Sequence, residues 1–437
     1  MDLFPLFLAL IGIVALLLLR VPVGFSFAIG ALVLCTIYGI SITGALTSGL
    51  SLITKFALLA LPLFAFLGAV MSCSGLARRL IDFIYSIVGR IRGGLGVALV
   101  CTNTVFGAIS GSASAAVIAL GPIFIPQMER KGYPRGHSTA FLIASSVLSL
   151  LIPPSGNSIF FGVIAGVSVV LLFAATLVPG LILTILLSII QVIMARKLPD
   201  IEVPPKISFI EQGKEIAQTG KRSFFILLLP LFIIGGIYSG IFTPTEAAAV
   251  SVVYAIVISW FIYRVINHVK LWQAGLEAGK AIGAIIVIFF FTYLLVRVLI
   301  LLQMPNYLLN SMLAISESKV IILVMFNIIL LITGMFVDDI SALMFAAFVY
   351  MPAAKMAGID PIHFGSIVIL NTGMGLITPP VAPLLYLGGM IGDVPLSQYW
   401  RPVIYCLLFG YLPTILIVTY VPEVSLALPN FIIAMRG

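Results

Sequence analysis

Long apolar runs broken by almost no charge decide what this chain can fold into. Residues 11–19, 181–190, 224–234 and 282–295 carry no charged side chain. A helix crosses a bilayer with about 20 such residues, and many stretches approach that length. Of the 437 residues 62% are hydrophobic and 9% charged, against roughly 45–50% and about 25% in soluble domains. A water-soluble fold is excluded, and about ten to thirteen membrane-embedded segments fit the length. Transmembrane barrels alternate apolar and polar residues, whereas these runs are apolar on every side, as in buried helices. The expected fold is an all-α polytopic membrane protein.

The opening MDLFPLFLALIGIVALLLLRVPVG has neither a basic leader nor a small-residue cleavage site, and is expected to be a retained first span. Cys35, Cys73, Cys101 and Cys406 lie scattered in apolar sequence, as small buried side chains rather than a disulfide framework or metal site. The net charge of +8 fits the cytoplasmic loops of a membrane protein. No nucleic-acid partner is expected.

The longest polar stretch, 195–222, is read as an amphipathic linker along the membrane surface. It separates a first half, 1–194, from a second, 223–437, and the halves repeat. The shift that carries Pro153-Pro154 onto Pro379-Pro380 also pairs Pro126 with Pro352, Gly132 with Gly358 and His137 with His363. Gene duplication explains this better than chance. The turn after the first span is basic at Arg20, while its counterpart around Thr243 and Pro244 is acidic at Glu246. With basic turns on the cytoplasmic side, the repeats are inverted, the plan of secondary transporters that bind at the midplane. Asp2 before the first span and Arg20 after it place the N-terminus outside.

Each half contains one unit that breaks helical rules, 94–165 and 320–391. Paired prolines remove backbone donors and push the preceding residue out of the α region, so the helix opens near Ile152 and Thr378. Open backbone at membrane depth is either buried in protein or lines a cavity. Its carbonyls, with nearby hydroxyls, suit a small hard cation. Ser110, Gly111, Ser112, Ser114, Ser155 and Asn157 accompany the first break. Gly334, Asp338, Asp339, Asn371, Thr372, Gly373, Thr378 and Pro379 accompany the second. Inward half-helix N-termini would favour an anion. The small residues would also serve as a helix-packing surface, and the aspartates as solvated surface charges. Recurrence of the breaks favours a site.

Arg297 lies in FFFTYLLVRVLILLQMP. An intramembrane charge marks a substrate path or a buried partner. Its guanidinium suits a carboxylate or sulfonate; the alternatives are a structural pair with Asp338, Asp339 or Glu246, or snorkelling to the interface. Lys55 is weaker, being nearer a polar helix start. His137 and His363 end short polar turns and read as caps. The sequence has no Walker loop and no catalytic triad signature, so an enzyme is not expected.

The ordered stretches GSASAAVIALGPIFIPQMERKGYPR, LIPPS, GMFVDD, AGIDPIHFG and LNTGMGLITPPV resemble the large membrane subunit of TRAP transporters, the tripartite ATP-independent periplasmic carriers. The resemblance runs from RVPVGFSFAIGA through FTPTEAAA to the last proline pair. It implies a sodium-driven symporter importing a small organic anion across the bacterial inner membrane. A small four-helix membrane subunit and a periplasmic substrate-binding protein are the implied partners. The implied architecture is an inverted-repeat elevator-type transporter with two re-entrant hairpins and broken helices. One Na+ site is implied at Ser110, Gly111, Ser112 and Ser114 with Ile152 and Pro153. The other is implied at Gly334, Asp338, Gly373 and Thr378 near Pro379. Arg297 is implied as the substrate arginine, with Ser155, Asn157 and Asp339 as further substrate-binding candidates. The chain reads SVLSLLIPPS where many relatives carry glycines, and VAP rather than VG after the second pair, so no particular acid is carried over. The rivals are a standalone sodium–dicarboxylate symporter, which shares the plan without a soluble receptor, and more remotely a channel or membrane enzyme.

Overall fold

Apolar sequence becomes helix here because, in lipid, each backbone N–H and C=O must find its partner inside the segment. The computed structural model describes residues 4–19, 21–203, 205 and 207–436, and those residues are helical with short connections and no strand. Asp2 and Arg20, the charges used above to orient the first span, lie outside the described residues. Among the described residues eight helices are long and apolar enough to cross a membrane, or nine with the bent pair Arg135–Leu151 and Gly156–Ala165. Shorter apolar helices such as Gly94–Ser110 and Pro383–Gly392 accompany them. A uniform spacing of about 20 residues per segment overlooks such half-spans. Phe7, Ile185, Ile193, Leu231, Phe261 and Phe409 project outward from these helices, as lipid-facing side chains do.

The two rule-breaking units fold alike. Gly94–Ser110 runs to a tip at Gly111 and Ser112, and Ala113–Arg130 returns from it. Lys319–Phe336 runs to a tip at Val337 and Asp338, and Asp339–Met356 returns. The Lys319 ammonium donates to the Gly358 carbonyl at 2.6 Å, which ties the open end of this second hairpin together. A broken helix follows each hairpin. Arg135–Leu151 bends by 43° into Gly156–Ala165, and Pro361–Gly375 opens before Pro383–Gly392. Long helices, Val169–Arg196 and Leu396–Tyr420, end the two series. The shift that joins Pro153 to Pro379 carries each first-half bound to within two residues of its second-half counterpart, inside ordinary boundary scatter.

A second layer flanks these units. Phe56–Cys73, Pro244–Ile262 and His268–Leu301 pack together. Glycines let Val23–Tyr38 and Ile42–Ile53 close on the last of these: Gly24 lies against Ile288 and Phe291, and Gly49 against Phe290 and Tyr293. Within the polar stretch 195–222, Ser208 and Glu211 form a capping box that starts Phe209–Tyr238, so the last part of the stretch is the polar beginning of a helix that continues into an apolar run. A capping box satisfies two helix-end donors at once, which is why the helix begins well before its apolar run.

Candidate functional site

Where a helix ends inside a protein, its terminal backbone groups need other partners. At the first tip Gly111 adopts φ +60°, and a Cβ there would stand 2.7 Å from the Pro154 carbonyl. The Gly111 carbonyl instead accepts from the Gly156 amide at 3.1 Å. Hairpin tip and broken helix are thus joined backbone to backbone. Two helix N-termini meet here, capped by the Ser112 and Ser155 hydroxyl oxygens. Two helix C-termini, at Ser110 and Leu151, converge on the same place. The Ser110 hydroxyl and the Asn157 Nδ2 are buried without hydrogen-bond partners. Asn157 lies beside Asp339 of the second tip without closing a hydrogen bond to it. Ile152 and Pro153 form the buried turn behind this tip.

The second tip uses a carboxylate where the first uses a hydroxyl. Asp338, at the position equivalent to Ser112, accepts from the Ser341 amide at 3.0 Å and from its hydroxyl at 2.7 Å. Gly334 meets the broken helix so closely that a Cβ on Gly375 would lie 2.5 Å from Gly334 backbone atoms. The Met335 carbonyl accepts from the Val381 amide at 3.1 Å. Thr378 caps the broken end, its hydroxyl donating to the Met374 carbonyl at 2.8 Å, with Pro379 immediately after it. The partners facing Gly334 are Thr372 and Gly375. The open side of Gly373 faces Val147 of the first broken helix instead.

A cavity of about 390 Å³ opens between these tips and the second layer. Ser110, Gly111, Ser112, Ser114, Asn157 and Asp339 line one side. Leu61, Phe64, Ser72, Glu277, Ile282 and Ile285 line the other. Ser155 is not at this surface; it is fully buried, its hydroxyl donating to the Leu150 carbonyl, so it shapes the turn.

Arg297 does not reach the cavity. It sits on His268–Leu301 beyond the cavity-lining Ile285 by a rise of about 18 Å at 1.5 Å per residue. There it stands among Leu294, Leu295, Val298 and Leu299, a separate apolar cluster with Val337 and Val349. Nor does it pair with the acids considered from sequence. Asp338 is engaged by Ser341, and Glu246 closes a capping box with Thr243. No ion pair among the described residues includes Arg297.

Residues 10–424 match the family described as the tripartite ATP-independent periplasmic transporter, DctM component. The chain belongs to this TRAP transporter family. A C4-dicarboxylate TRAP transporter large permease protein from Pseudomonas aeruginosa is 39% identical over 379 residues, 86% of this chain and 87% of the relative. A sialic acid TRAP transporter large permease protein from Vibrio cholerae is 32% identical over 429 residues, covering 97% of this chain and 98% of that one. The crystal structure of the Alcanivorax borkumensis YdaH transporter, described as having an unusual topology, aligns with a TM-score of 0.59. That match covers 89% of this chain and 88% of the other at 17% identity, and it speaks to the fold alone. This TRAP family member is therefore a multi-pass membrane protein of a transporter family, not an enzyme.

In this TRAP chain the cavity's far wall escapes sequence reasoning. Glu277 lies in the polar first part of a long helix, where a charge reads as a solvated face. Thr372 is among the residues named from the sequence, whereas Gly375, which also faces Gly334, is not. Nothing local marks which of several neighbouring small residues faces the other backbone.

Proposed function

We propose that this chain carries a small organic anion into the cell by sodium-coupled symport, with an elevator-like displacement of the two hairpin units against the second layer. The observation that carries the reading is the cavity itself. It lies between the two hairpin tips on one side and Phe56–Cys73 and His268–Leu301 on the other. A substrate there touches both a unit able to move and a wall able to stay. Secondary transporters of inverted-repeat design bind at such a repeat interface.

A count of crossings, with the broken helix taken as one, supports the inverted arrangement. From Gly94 to Lys319 the chain makes one hairpin that returns to its own side. The broken helix, Val169–Arg196, Phe209–Tyr238, Pro244–Ile262 and His268–Leu301 then cross. Met304–Ile315 has 12 residues, about 18 Å of rise and short of a crossing. Five crossings would set the two hairpins on opposite sides. Arg90, Arg92, Lys131, Arg135 and Arg196 gather at the open end of the first hairpin, against Lys319 and Lys355 at that of the second. The excess of basic residues assigns the first end to the cytoplasm of an inner membrane.

For Na+, the opened carbonyls near Ser110, Ile152 and Thr378, with the Asp338 carboxylate, are hard oxygen donors. Sodium held at Gly111, Ser112, Ser114 and Pro153, and at Gly334, Asp338, Gly373 and Pro379, would join each tip to its broken helix. That arrangement would fix Asn157 and the helix N-termini for a carboxylate or sulfonate. Binding changes the distribution of states only through such differential interactions. Arg297 lies farther along the wall helix, where a displaced unit would meet it. The family is tripartite by name, and the reading includes a small membrane subunit and a soluble periplasmic receptor as partners. In proteoliposomes holding the assembled transporter and its receptor, an inward sodium gradient should raise uptake at least tenfold over equal sodium on both sides. Uptake indifferent to sodium rejects the coupling. Full uptake by the chain without a receptor favours the standalone symporter instead.

A further inference from the structure

The cavity poses a problem for an anion carrier: it has two carboxylates, Glu277 and Asp339, and no Lys, Arg or His among its described lining residues. We propose that Glu277 is a release residue, a fixed negative charge on the wall that lowers the hold on the bound anion once the cavity faces the cytoplasm. The inference rests on the transport reading above and concerns how the same cavity lets its cargo go.

The two sides of the cavity differ in what they can do. On the hairpin side the Asn157 Nδ2, a donor on a residue only 3% exposed, has no hydrogen-bond partner, and neither has the Ser110 hydroxyl, on a residue 2% exposed. Both line the cavity together with the N-terminal ends of Ala113–Arg130 and Gly156–Ala165. Asn157 lies in the first turn of Gly156–Ala165 and Ser110 at the C-terminal end of Gly94–Ser110, next to the tip; unmet donors beside helix N-termini fit an oxyanion. These groups travel with the anion. The opposite wall is apolar at Leu61, Phe64, Ile282 and Ile285 apart from Ser72 and Glu277.

Glu277 is exposed and forms no ion pair among the described residues; its carboxylate accepts from the Cys73 thiol at 3.9 Å, where the charge of Lys270 acts in the opposite sense. It also stands at the cytoplasmic end of the wall. Cys73 precedes the turn that leads to Arg79, whose guanidinium covers the Tyr263 ring at 4.5 Å. This is the basic end of the molecule. A charge on a stationary wall acts on the cargo only while the cavity lies beside it, which is the condition for biasing one state over another. When the unit moves away along His268–Leu301, the carboxylate is left behind. Through partly aqueous space over roughly 6–10 Å, such a charge changes occupancy several-fold, and salt weakens it.

The test is Glu277→Gln in the complete transporter, in proteoliposomes sorted so that the cytoplasmic face is accessible, with succinate and N-acetylneuraminate as probes. For whichever acid is carried, the variant should lower the cytoplasmic half-saturation concentration roughly three- to tenfold at about 20 mM salt, slow net turnover, and converge on wild type near about 500 mM salt. An unchanged value makes Glu277 a bystander and overturns the proposal. A raised value also overturns it, because the carboxylate would then be accepting a hydrogen bond from the cargo. If wild type carries neither acid, the transport reading fails for these cargoes, while the wall's field remains measurable at Cys73. There a cationic methanethiosulfonate should gain several-fold over an anionic one, relative to free thiol, and the gain should vanish in Glu277→Gln. Persistence of that gain in the variant rejects the field assigned to Glu277.

Discussion

Cross-linking Thr292 to Ser341 through a pair of introduced cysteines should stop uptake almost completely, and a reductant should restore it to the level of the single-cysteine variants. The two hydroxyls stand 3.0 Å apart, one on the wall helix His268–Leu301 and the other just past the second hairpin tip. Side chains so placed lie within reach of a disulfide bond of about 2.05 Å. A covalent link between the hairpin and the wall blocks any mechanism in which one slides past the other. It leaves untouched a mechanism in which only a small gate opens. Initial rates in proteoliposomes before and after oxidation decide between them, and undiminished uptake by the oxidised double variant rejects the elevator. The four native cysteines need replacing first; Cys35 and Cys406 are buried, so alanine is suitable for them.

Gly375→Ala should lower sodium-driven uptake more than tenfold while the protein still inserts and assembles. A Cβ at Gly375 would lie 2.5 Å from the Cα and carbonyl carbon of Gly334, and backbone atoms cannot rotate aside as a side-chain end can. Overpacking of this kind costs about 1–3 kcal/mol. Here the strain falls on the contact that places the second tip against the broken helix. The Gly375 carbonyl accepts from the Thr378 amide at 2.9 Å, so the displacement passes directly to the proline break. The expected signature is a higher sodium requirement together with the loss of rate. Gly279→Ala is the control, since a Cβ there meets nothing within 4 Å. Equal uptake by the two variants would remove the tight contact from the mechanism.

The placement of the breaks was legible in the sequence. Pro153-Pro154 and Pro379-Pro380 deny backbone donors wherever the chain lies, so the openings near Ile152 and Thr378 needed no tertiary knowledge. Ser112 and Asp338 were likewise visible as small polar residues at tips, because a hairpin tip within apolar sequence leaves few other positions. Gly373 shows the limit. It lies between Thr372 and Gly375 in a glycine-rich turn, and only the packed structure shows that its neighbours face Gly334 while it faces Val147. Arg297 shows the same limit at longer range. Its charge was conspicuous, but its distance from the cavity depends on where along His268–Leu301 the hairpin tips dock.

By itself the sequence determined a membrane protein of helices, repeated once, with two openings at membrane depth. Charge scarcity, the shared shift and the proline pairs act locally or by composition, and each is independent of which helices become neighbours. The tertiary structure decided that the two tips meet at one cavity, that His268–Leu301 supplies its wall, and that the wall presents Glu277 rather than Arg297. Helices that are apolar on every side carry no mark distinguishing a lipid-facing side from a protein-facing one. Which apolar helix closes a cavity follows from backbone approach at positions such as Gly24, Gly49 and Gly334, between segments far apart in the chain.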